Sequence, residues 1–277
     1  MAVSMADVKA LNESTGAGLL ACKNALAEAN GDVKEAAKIL KEKGLAAVAK
    51  RSERATSEGR VFVRTVDNKI VLVEVTCETD FVAKNADFIA TGEKLVDVTL
   101  AKGYTQVEQE HKDILLELAT KIRENMTVAK VNVVVIPENA VAATYVHSDF
   151  KTASAVVVKG STDDAVKTFA YDCCMHLAAF TPAYLTGDQV PAEYVAEQTE
   201  IFKAQMDADE KMASKPENVK AGILQGKIKK HLAEICFVDQ MFVKDDKVTV
   251  AKKIEEIGKN AGAKLEFGEI VLDVLGK

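Results

Sequence analysis

A threonine, an aspartate and a phenylalanine stand in a row at Thr79-Asp80-Phe81, directly after the alternating run Val73-Glu74-Val75-Thr76-Cys77-Glu78. The chemistry this trio offers is recognition rather than covalent catalysis. The alternation reads as a half-buried strand. The polar break after it reads as a helix start, where Asp80 or Thr79 accepts from the first free N–H groups. Phe81 then falls on the first helical turn, beside a carboxylate, where burial in a core is least assured. Such an aromatic either staples its own loop to the core or stands out as an anchor for a partner. Taken without the string around it, the staple is the simpler reading.

Covalent and nucleotide chemistry are poorly provided for. Gly226-Lys227 is followed by Ile228 where a phosphate-binding loop needs Ser or Thr, and the glycine that loop needs five residues upstream is Ala221. Gly16-Ala17-Gly18 lacks the strand before and the βαβ unit around it that a dinucleotide fingerprint requires, so it reads as a loop between helices. The four histidines, His111, His147, His176 and His231, fall in no metal-binding or zincin pattern. His147-Ser148-Asp149 is contiguous, whereas a triad converges from separate elements. His176 sits in an apolar helical stretch and reads as a satisfied core residue. The five cysteines (Cys22, Cys77, Cys173, Cys174, Cys236) form no CxxC pair, so they read as buried thiols acting as small hydrophobes, the Cys173-Cys174 neighbours included. No cofactor and no metal are expected.

Composition narrows the partner. The chain has 277 residues, 48% hydrophobic and 28% charged, with a formal net charge of -6. That is a soluble globular composition with room for more than one domain. The negative balance argues against phosphate-backbone binding as the main activity, so no direct nucleic-acid partner is expected. No apolar run approaches a membrane span and no leader precedes the first helix, so no membrane partner is expected and the protein reads as cytoplasmic. Aromatics make up 5% and Trp is absent, which makes one exposed Phe conspicuous.

The elements that must position Thr79-Asp80-Phe81 follow from periodicity. Residues 4–49 read as three short helices, with Ser4-Met5-Ala6-Asp7 and Asp32-Val33-Lys34-Glu35 resembling capping boxes. Residues 50–59 are polar and unpatterned, a linker. Val61-Phe62-Val63 and Ile70-Val71-Leu72-Val73-Glu74-Val75 form a hairpin through Asp67-Asn68-Lys69. Helices are expected over roughly 83–101 and 105–124, strands over 131–136, 140–147 and 153–159, and a helix capped by Ser161-Thr162-Asp163-Asp164. From 191 to 235 two thin apolar stripes run at helical spacing, Val195/Thr199/Phe202/Met206 and Ala221/Leu224/Ile228/His231/Ile235, on either side of Lys215-Pro216. They read as an antiparallel helical hairpin; two surface helices packed on the core are the alternative. A helix at 249–259 and a strand near 269–275 close the chain. Hairpins followed by helix pairs, appearing twice, predict an α+β fold with two related halves.

The string Thr79-Asp80-Phe81-Val82-Ala83-Lys84-Asn85 resembles a signature of the bacterial elongation factor Ts family, guanine-nucleotide exchange factors of elongation factor Tu. The resemblance spans the chain. Residues 11–26 are similar to the family's first signature, with Asn12 where arginine is usual. Lys121-Ile122-Arg123-Glu124-Asn125 carries Arg123 for glycine, Met175-His176-Leu177-Ala178-Ala179 matches a later segment, and the segment 237–245 has Met241 for proline.

The family implies an architecture: a ubiquitin-associated-like bundle over 1–54, core subdomains over 55–140 and over 141–188 with 236–277, and a helical hairpin inserted at 189–235. It implies partner-binding roles for Thr79, Asp80, Phe81, Val82, Lys23 and His147. The last lies at the strand end Tyr145-Val146-His147, with Ser148 where the family has glycine; mere exposure there is the competing reading. It further implies exchange without enzyme chemistry, on elongation factor Tu in its nucleotide-free and GDP-bound forms. GDP release would follow from displaced Mg²⁺ and phosphate contacts. The hairpin is open to pairing two copies, as a homodimer or a 2:2 complex, or to touching the GTPase. Two rivals remain: a protein-binding adaptor working through the three-helix unit, and a dinucleotide enzyme built on Gly16 to Gly18.

Overall fold

Apolar residues at helical spacing, with caps at the polar breaks, shape the N-terminal segment into α1 (Met5–Thr15), α2 (Leu19–Glu28) and α3 (Val33–Ala49). Ser4 Oγ accepts from the N–H of Ala6, and the Asp32 carboxylate accepts from those of Lys34 and Glu35, relieving donors that a helix start leaves free. Val8, Leu11, Cys22, Ala25, Leu26 and Ala36 close a small core among the three. The computed structural model describes residues 3–15, 17–213 and 215–277. The chain is α+β and groups into two units, 1–135 with 146–153 and 273–277, and 136–145 with 154–272.

In the first unit, β1 (Glu58–Val66) and β2 (Lys69–Cys77) pair antiparallel through a two-residue turn. Asp67 takes the positive φ, 51°, that this turn requires and that Asp tolerates. Three helices come next. α4 (Asp80–Ala83) is a single turn, α5 covers Ala86–Lys102 and α6 covers Gln109–Ile122. β3 (Met126–Val135) then pairs with β2, so β2 is central in the order β1-β2-β3. The alternation from Val73 to Glu78 predicts a half-buried strand; β2, being central, is instead buried on both faces from Ile70 to Cys77, almost all of it apolar. Phe62, Val71, Val73 and Val75 pack with Phe88, Leu95 and Val96 of α5 and with Leu115 and Leu118 of α6.

The exception in β2 is Glu74, which is fully buried. Its cross-strand neighbour Lys130 holds it at 2.9 Å, and the N–H of Gly276 donates to it at 2.9 Å. Lys130 also reaches Asp273 at 3.2 Å. Burial, first, and the Glu74 charge beside it push the Asp273 carboxyl up to about 6.

Two helix starts differ from the sequence expectation. α5 begins at Ala86, not near 83, because Asn85 caps it by accepting from the N–H of Asp87 and so separates it from α4. α6 begins at Gln109, four residues after Thr105. Its cap is Glu108, whose N–H donates the reciprocal bond of the capping pair to His111 Nδ1 at 2.9 Å. That fixes the ring as the Nε2–H tautomer, which donates to Thr99 Oγ1 at 2.9 Å. Burial holds His111 below its usual pKa, in the neutral form these bonds need.

The polar stretch after α3 is no free linker. The Arg51 guanidinium donates to the carbonyl of Ala119 (3.4 Å), and the Asn125 side-chain amide donates to those of Ser52 (3.2 Å) and Arg54 (2.7 Å). α3 also lies so close to α6 that a methyl group on Gly44 would collide with Thr120.

The second unit is built around β4 (Ala140–Val146), β5 (Thr152–Lys159) and the late strand β8 (Glu266–Val274), in the order β4-β5-β8. Between β5 and β8 come α7 (Asp164–Phe180), α8 (Ala192–Ala208), α9 (Glu210–Ala213), α10 (Glu217–Ile235), β6 (Met241–Phe242), β7 (Asp245–Thr249) and α11 (Val250–Asn260). Val156, Val158, Phe169, Cys173, Leu177, Phe237, Phe242 and Ile254 form the unit's core. His176 is the satisfied core histidine expected: Nδ1 accepts from the N–H of Val243 (3.1 Å), so Nε2–H donates to Gln240 Oε1 (2.9 Å). All five cysteines are free and buried.

α8 and α10 carry the two stripes. Tyr194 and His231 are joined at 2.8 Å, His231 meets the edge of Phe202, and Lys227 lies over the Phe202 ring. Residues late in α10 thus meet residues early in α8, an antiparallel pairing. Ala221, expected in the seam, is exposed. Among the described residues α8 buries only Met206 and α10 none, so the hairpin is held along a narrow line. No helix among the described residues is long and apolar enough to cross a membrane.

Candidate functional site

The turn after β2 is capped by Thr79. Its backbone is extended, and its hydroxyl oxygen accepts from the N–H of Val82 at 3.4 Å. The same hydroxyl donates to Glu124 Oε1 at 2.6 Å. Glu124 Oε2 accepts the N–H groups of Glu78 (3.2 Å) and Thr79 (3.1 Å). Glu78 returns the favour, accepting the N–H of Asn125 at 2.6 Å, and Arg54 approaches Glu78 at 3.4 Å. One carboxylate therefore collects three donors from two successive residues, a charge-assisted arrangement that fixes the backbone leading to Phe81.

Val82 and Ala83 anchor α4 from beneath, in the core with Phe88. Phe81, one residue back and about 100° around the helix, points the other way. It is 82% exposed, the most exposed large apolar side chain among the described residues. Asp80 stands beside it, paired with Lys84 at 2.6 Å; that bond holds its carboxyl below the ordinary range, in the charged form. Val82 thus departs from the expectation of a contact residue: it is 8% exposed and faces inward. Thr79 is half-buried, with its hydroxyl committed on both sides.

Cys77, just before the turn, is no nucleophile. Burial, chiefly, and then the Glu124 charge push its thiol up to about 12, and its S–H faces the carbonyl of Thr79 at 3.2 Å.

Lys23 is exposed on α2, at the flank of the face that buries Cys22, Ala25 and Leu26. Leu19, one turn earlier on the same face, and its neighbour Leu20 are 53% and 71% exposed. Sequence reasoning passed over them; two leucines in succession at an uncapped helix start were the available signal. Gly18, before α2, borders Arg123: a methyl group there would lie 3.8 Å from the guanidinium. Arg123 closes α6 with φ 69°. Asn12 is half-buried and donates from its amide to the carbonyl of Ala17 at 2.6 Å, fastening the turn between α1 and α2.

His147 is exposed and opens the turn between β4 and β5. Its N–H donates to the carbonyl of Thr152, and its carbonyl accepts from Phe150. The left-handed residue in this turn is Phe150, φ 61°, not Ser148. Phe150 caps the outer edge of β1, its carbonyl accepting from the N–H of Val61 at 2.8 Å, with the Arg60 guanidinium 3.8 Å above its ring.

Among the described residues no three His, Cys, Asp or Glu gather as a metal site. A groove of about 770 Å³ lies in the second unit, lined by Ile254, Gly258, Leu265 and Phe267 among others, and contains no residue of the Phe81 turn. The turn is convex. What it can do chemically is insert an aromatic ring, flanked by a carboxylate, into a recess on something else.

Comparison with known proteins shows the family to which the chain is similar. A family model described as Elongation factor TS matches residues 78–271, beginning at Glu78. The chain is 49% identical to the Elongation factor Ts of Treponema denticola, over 100% of this chain and 99% of that protein. It is 43% identical to that of Treponema pallidum (strain Nichols), with the same coverage. The Elongation factor Ts of Borrelia recurrentis is 43% identical over 97% of this chain and 98% of its own length.

Proposed function

We propose that this chain, which belongs to the elongation factor Ts family, is a guanine-nucleotide exchange factor acting on elongation factor Tu in translation elongation. The observation that carries the reading is the exposure of Phe81 on a turn whose backbone is held by a distant carboxylate. A ring that faces solvent on a fixed support loses little conformational freedom when it enters a partner.

The mechanism follows from how such GTPases hold GDP: backbone N–H groups, a lysine and Mg²⁺ share the phosphate charge. A protein that binds the nucleotide-free state better weakens nucleotide binding by the same factor. Phe81 is the wedge, entering an apolar seam near the Mg²⁺ site, and Asp80 stands at its shoulder. Lys23, with Leu19 and Leu20, and His147 provide further contacts. Thr79 and Val82 support the wedge from within. The protein makes and breaks no covalent bond, binds both the nucleotide-free and the GDP-bound GTPase, and acts in the cytoplasm.

Release of fluorescent GDP from elongation factor Tu tests this. Substoichiometric protein should accelerate release, and the stable complex with nucleotide-free GTPase should dissociate in excess GDP or GTP. A complex equally tight with saturating GDP and Mg²⁺ would overturn the reciprocal coupling. Unchanged release would leave the adaptor reading.

A further inference from the structure

We infer that Glu124 is a positioning residue for exchange: its carboxylate, reaching back 45 residues to the Thr79 hydroxyl, sets the direction in which Phe81 points. This rests on the exchange reading of the Phe81 turn.

α4 is only one turn long, too short to hold a direction by its own hydrogen bonds. Beneath it, Val82 and Ala83 fix its depth in the core. Its entry is fixed by Glu124, which takes the N–H groups of Glu78 and Thr79 on one oxygen and the Thr79 hydroxyl on the other. Because that hydroxyl also receives the N–H of Val82, a single carboxylate is linked through Thr79 to the residue after Phe81. Glu124 itself is fixed from both sides. Arg123 before it takes the left-handed conformation that ends α6, and Asn125 after it donates its N–H to Glu78 and its side-chain amide to Ser52 and Arg54. The carboxylate thus stands between the Phe81 turn and the segment arriving from the N-terminal bundle, and holds the first while its neighbour holds the second.

A carboxylate is the suited group. It offers acceptors on both oxygens and no donor of its own, whereas the amide of Gln presents NH₂ on one side, toward either the two N–H groups or the hydroxyl. Glu124→Gln keeps the volume and breaks the pattern.

The test is exchange of fluorescent GDP on elongation factor Tu by full-length Glu124→Gln, Phe81→Ala and the double variant, with thermal melts. Glu124→Gln should lower the maximal exchange rate about tenfold, an effect of the order of a lost charge-assisted hydrogen bond, with the half-saturating concentration little changed. In the Phe81→Ala background the same substitution should have no further effect, because there is no ring left to aim. A purely structural role would instead multiply through both backgrounds. Thr79→Ala, which leaves Glu124 its two N–H donors and removes the hydroxyl that joins it to Val82, should reproduce part of the loss and serves if Glu124→Gln melts early. Two failures are distinguishable. A normal rate for Phe81→Ala overturns the wedge itself; a slow Phe81→Ala with a normal Glu124→Gln, or with additive losses in the double variant, overturns the positioning role alone.

Discussion

The Phe81 turn and the α8–α10 hairpin both present apolar side chains at the surface, and they are held in opposite ways. The turn has one exposed ring over a core that includes Val82, Ala83 and Phe88, and its entry is fixed by Glu124. The hairpin has seventeen- and nineteen-residue helices with one buried residue between them among those described. Its seam rests on ring contacts such as Tyr194 with His231 and Phe202 with His231. Buried and hydrogen-bonded support is concentrated beneath the turn that the proposed mechanism uses, and is thin along the hairpin that it does not use. Local stability is expected to follow, with the hairpin opening more readily than the turn.

The largest effect that could break this contrast is at the ring. Phe81→Ala should slow GDP release by one to several orders of magnitude, since a buried aromatic anchor is typically worth roughly 2–4 kcal/mol at an interface. The melting temperature should be nearly unchanged, because the ring is 82% exposed in the free protein. A markedly lower melting temperature with normal exchange per folded molecule would make the ring part of the core.

Next in size is the cap. Thr79→Ala removes a hydroxyl that accepts from Val82 and donates to Glu124, and should cost about 1 kcal/mol of stability. Asp80→Ala should do less, roughly a two- to threefold loss of exchange, because its pairing with Lys84 is a surface ion pair. Equal losses from the two variants, measured in the same release assay, would mean that the Asp80 carboxylate touches the partner directly.

How far these residues were legible follows from the range of the interactions. A cap at Thr79 or Asp80 and a hairpin through 67–69 are local and readable in the sequence; the fold decides for Thr79 and shortens the turn to two residues, Lys69 already pairing in β2. The α8 and α10 stripes were readable too, except Ala221. Glu124 was visible only as part of a resembling string, because its bonds to residues 78 and 79 depend on α6 ending beside the end of β2. The fastening of residues 51–54 by Ala119 and Asn125 was hidden for the same reason. The resemblance names Phe81 and Val82 together, but neighbours in a helix point about 100° apart, and only the fold shows Phe81 facing solvent while Val82 faces the core. Thr105-Gln106-Val107-Glu108 has the spacing of a capping box, but α6 is capped one turn later by the Glu108–His111 pair, a combination outside that pattern.

Arg123→Gly should give a smaller effect of opposite sign. Arg123 holds φ 69° at the end of α6, a conformation that costs a residue with a Cβ roughly 1 kcal/mol and glycine nothing. The variant should melt slightly higher, by an amount worth roughly 0.5–1 kcal/mol less whatever its guanidinium contributes beside Gly18. Exchange should stay within about twofold, since Glu124 keeps its place. A drop in stability would show that the Arg123 side chain, not the backbone, joins α6 to the start of α2.

The smallest expected effect on exchange tests the other side of the comparison. Residues 195–232 can be replaced by a short Gly-Ser bridge, because the flanking chain is tied independently: Ala183 and Tyr184 donate to the carbonyl of Ile235, and Phe237 to that of Tyr184. The rest of the second unit keeps its core of Phe169, Leu177, Phe237 and Phe242. The excised protein should therefore fold, and it should release fluorescent GDP from elongation factor Tu at a rate within about twofold of the intact chain, because none of the turn's supports lies in the hairpin. Assembly size, read by size-exclusion chromatography, is where a change is to be looked for. Loss of exchange in a protein that still melts cooperatively would mean that the thin seam itself grips the GTPase. The sparse packing of the hairpin would then belong to the mechanism as much as the close support of the turn.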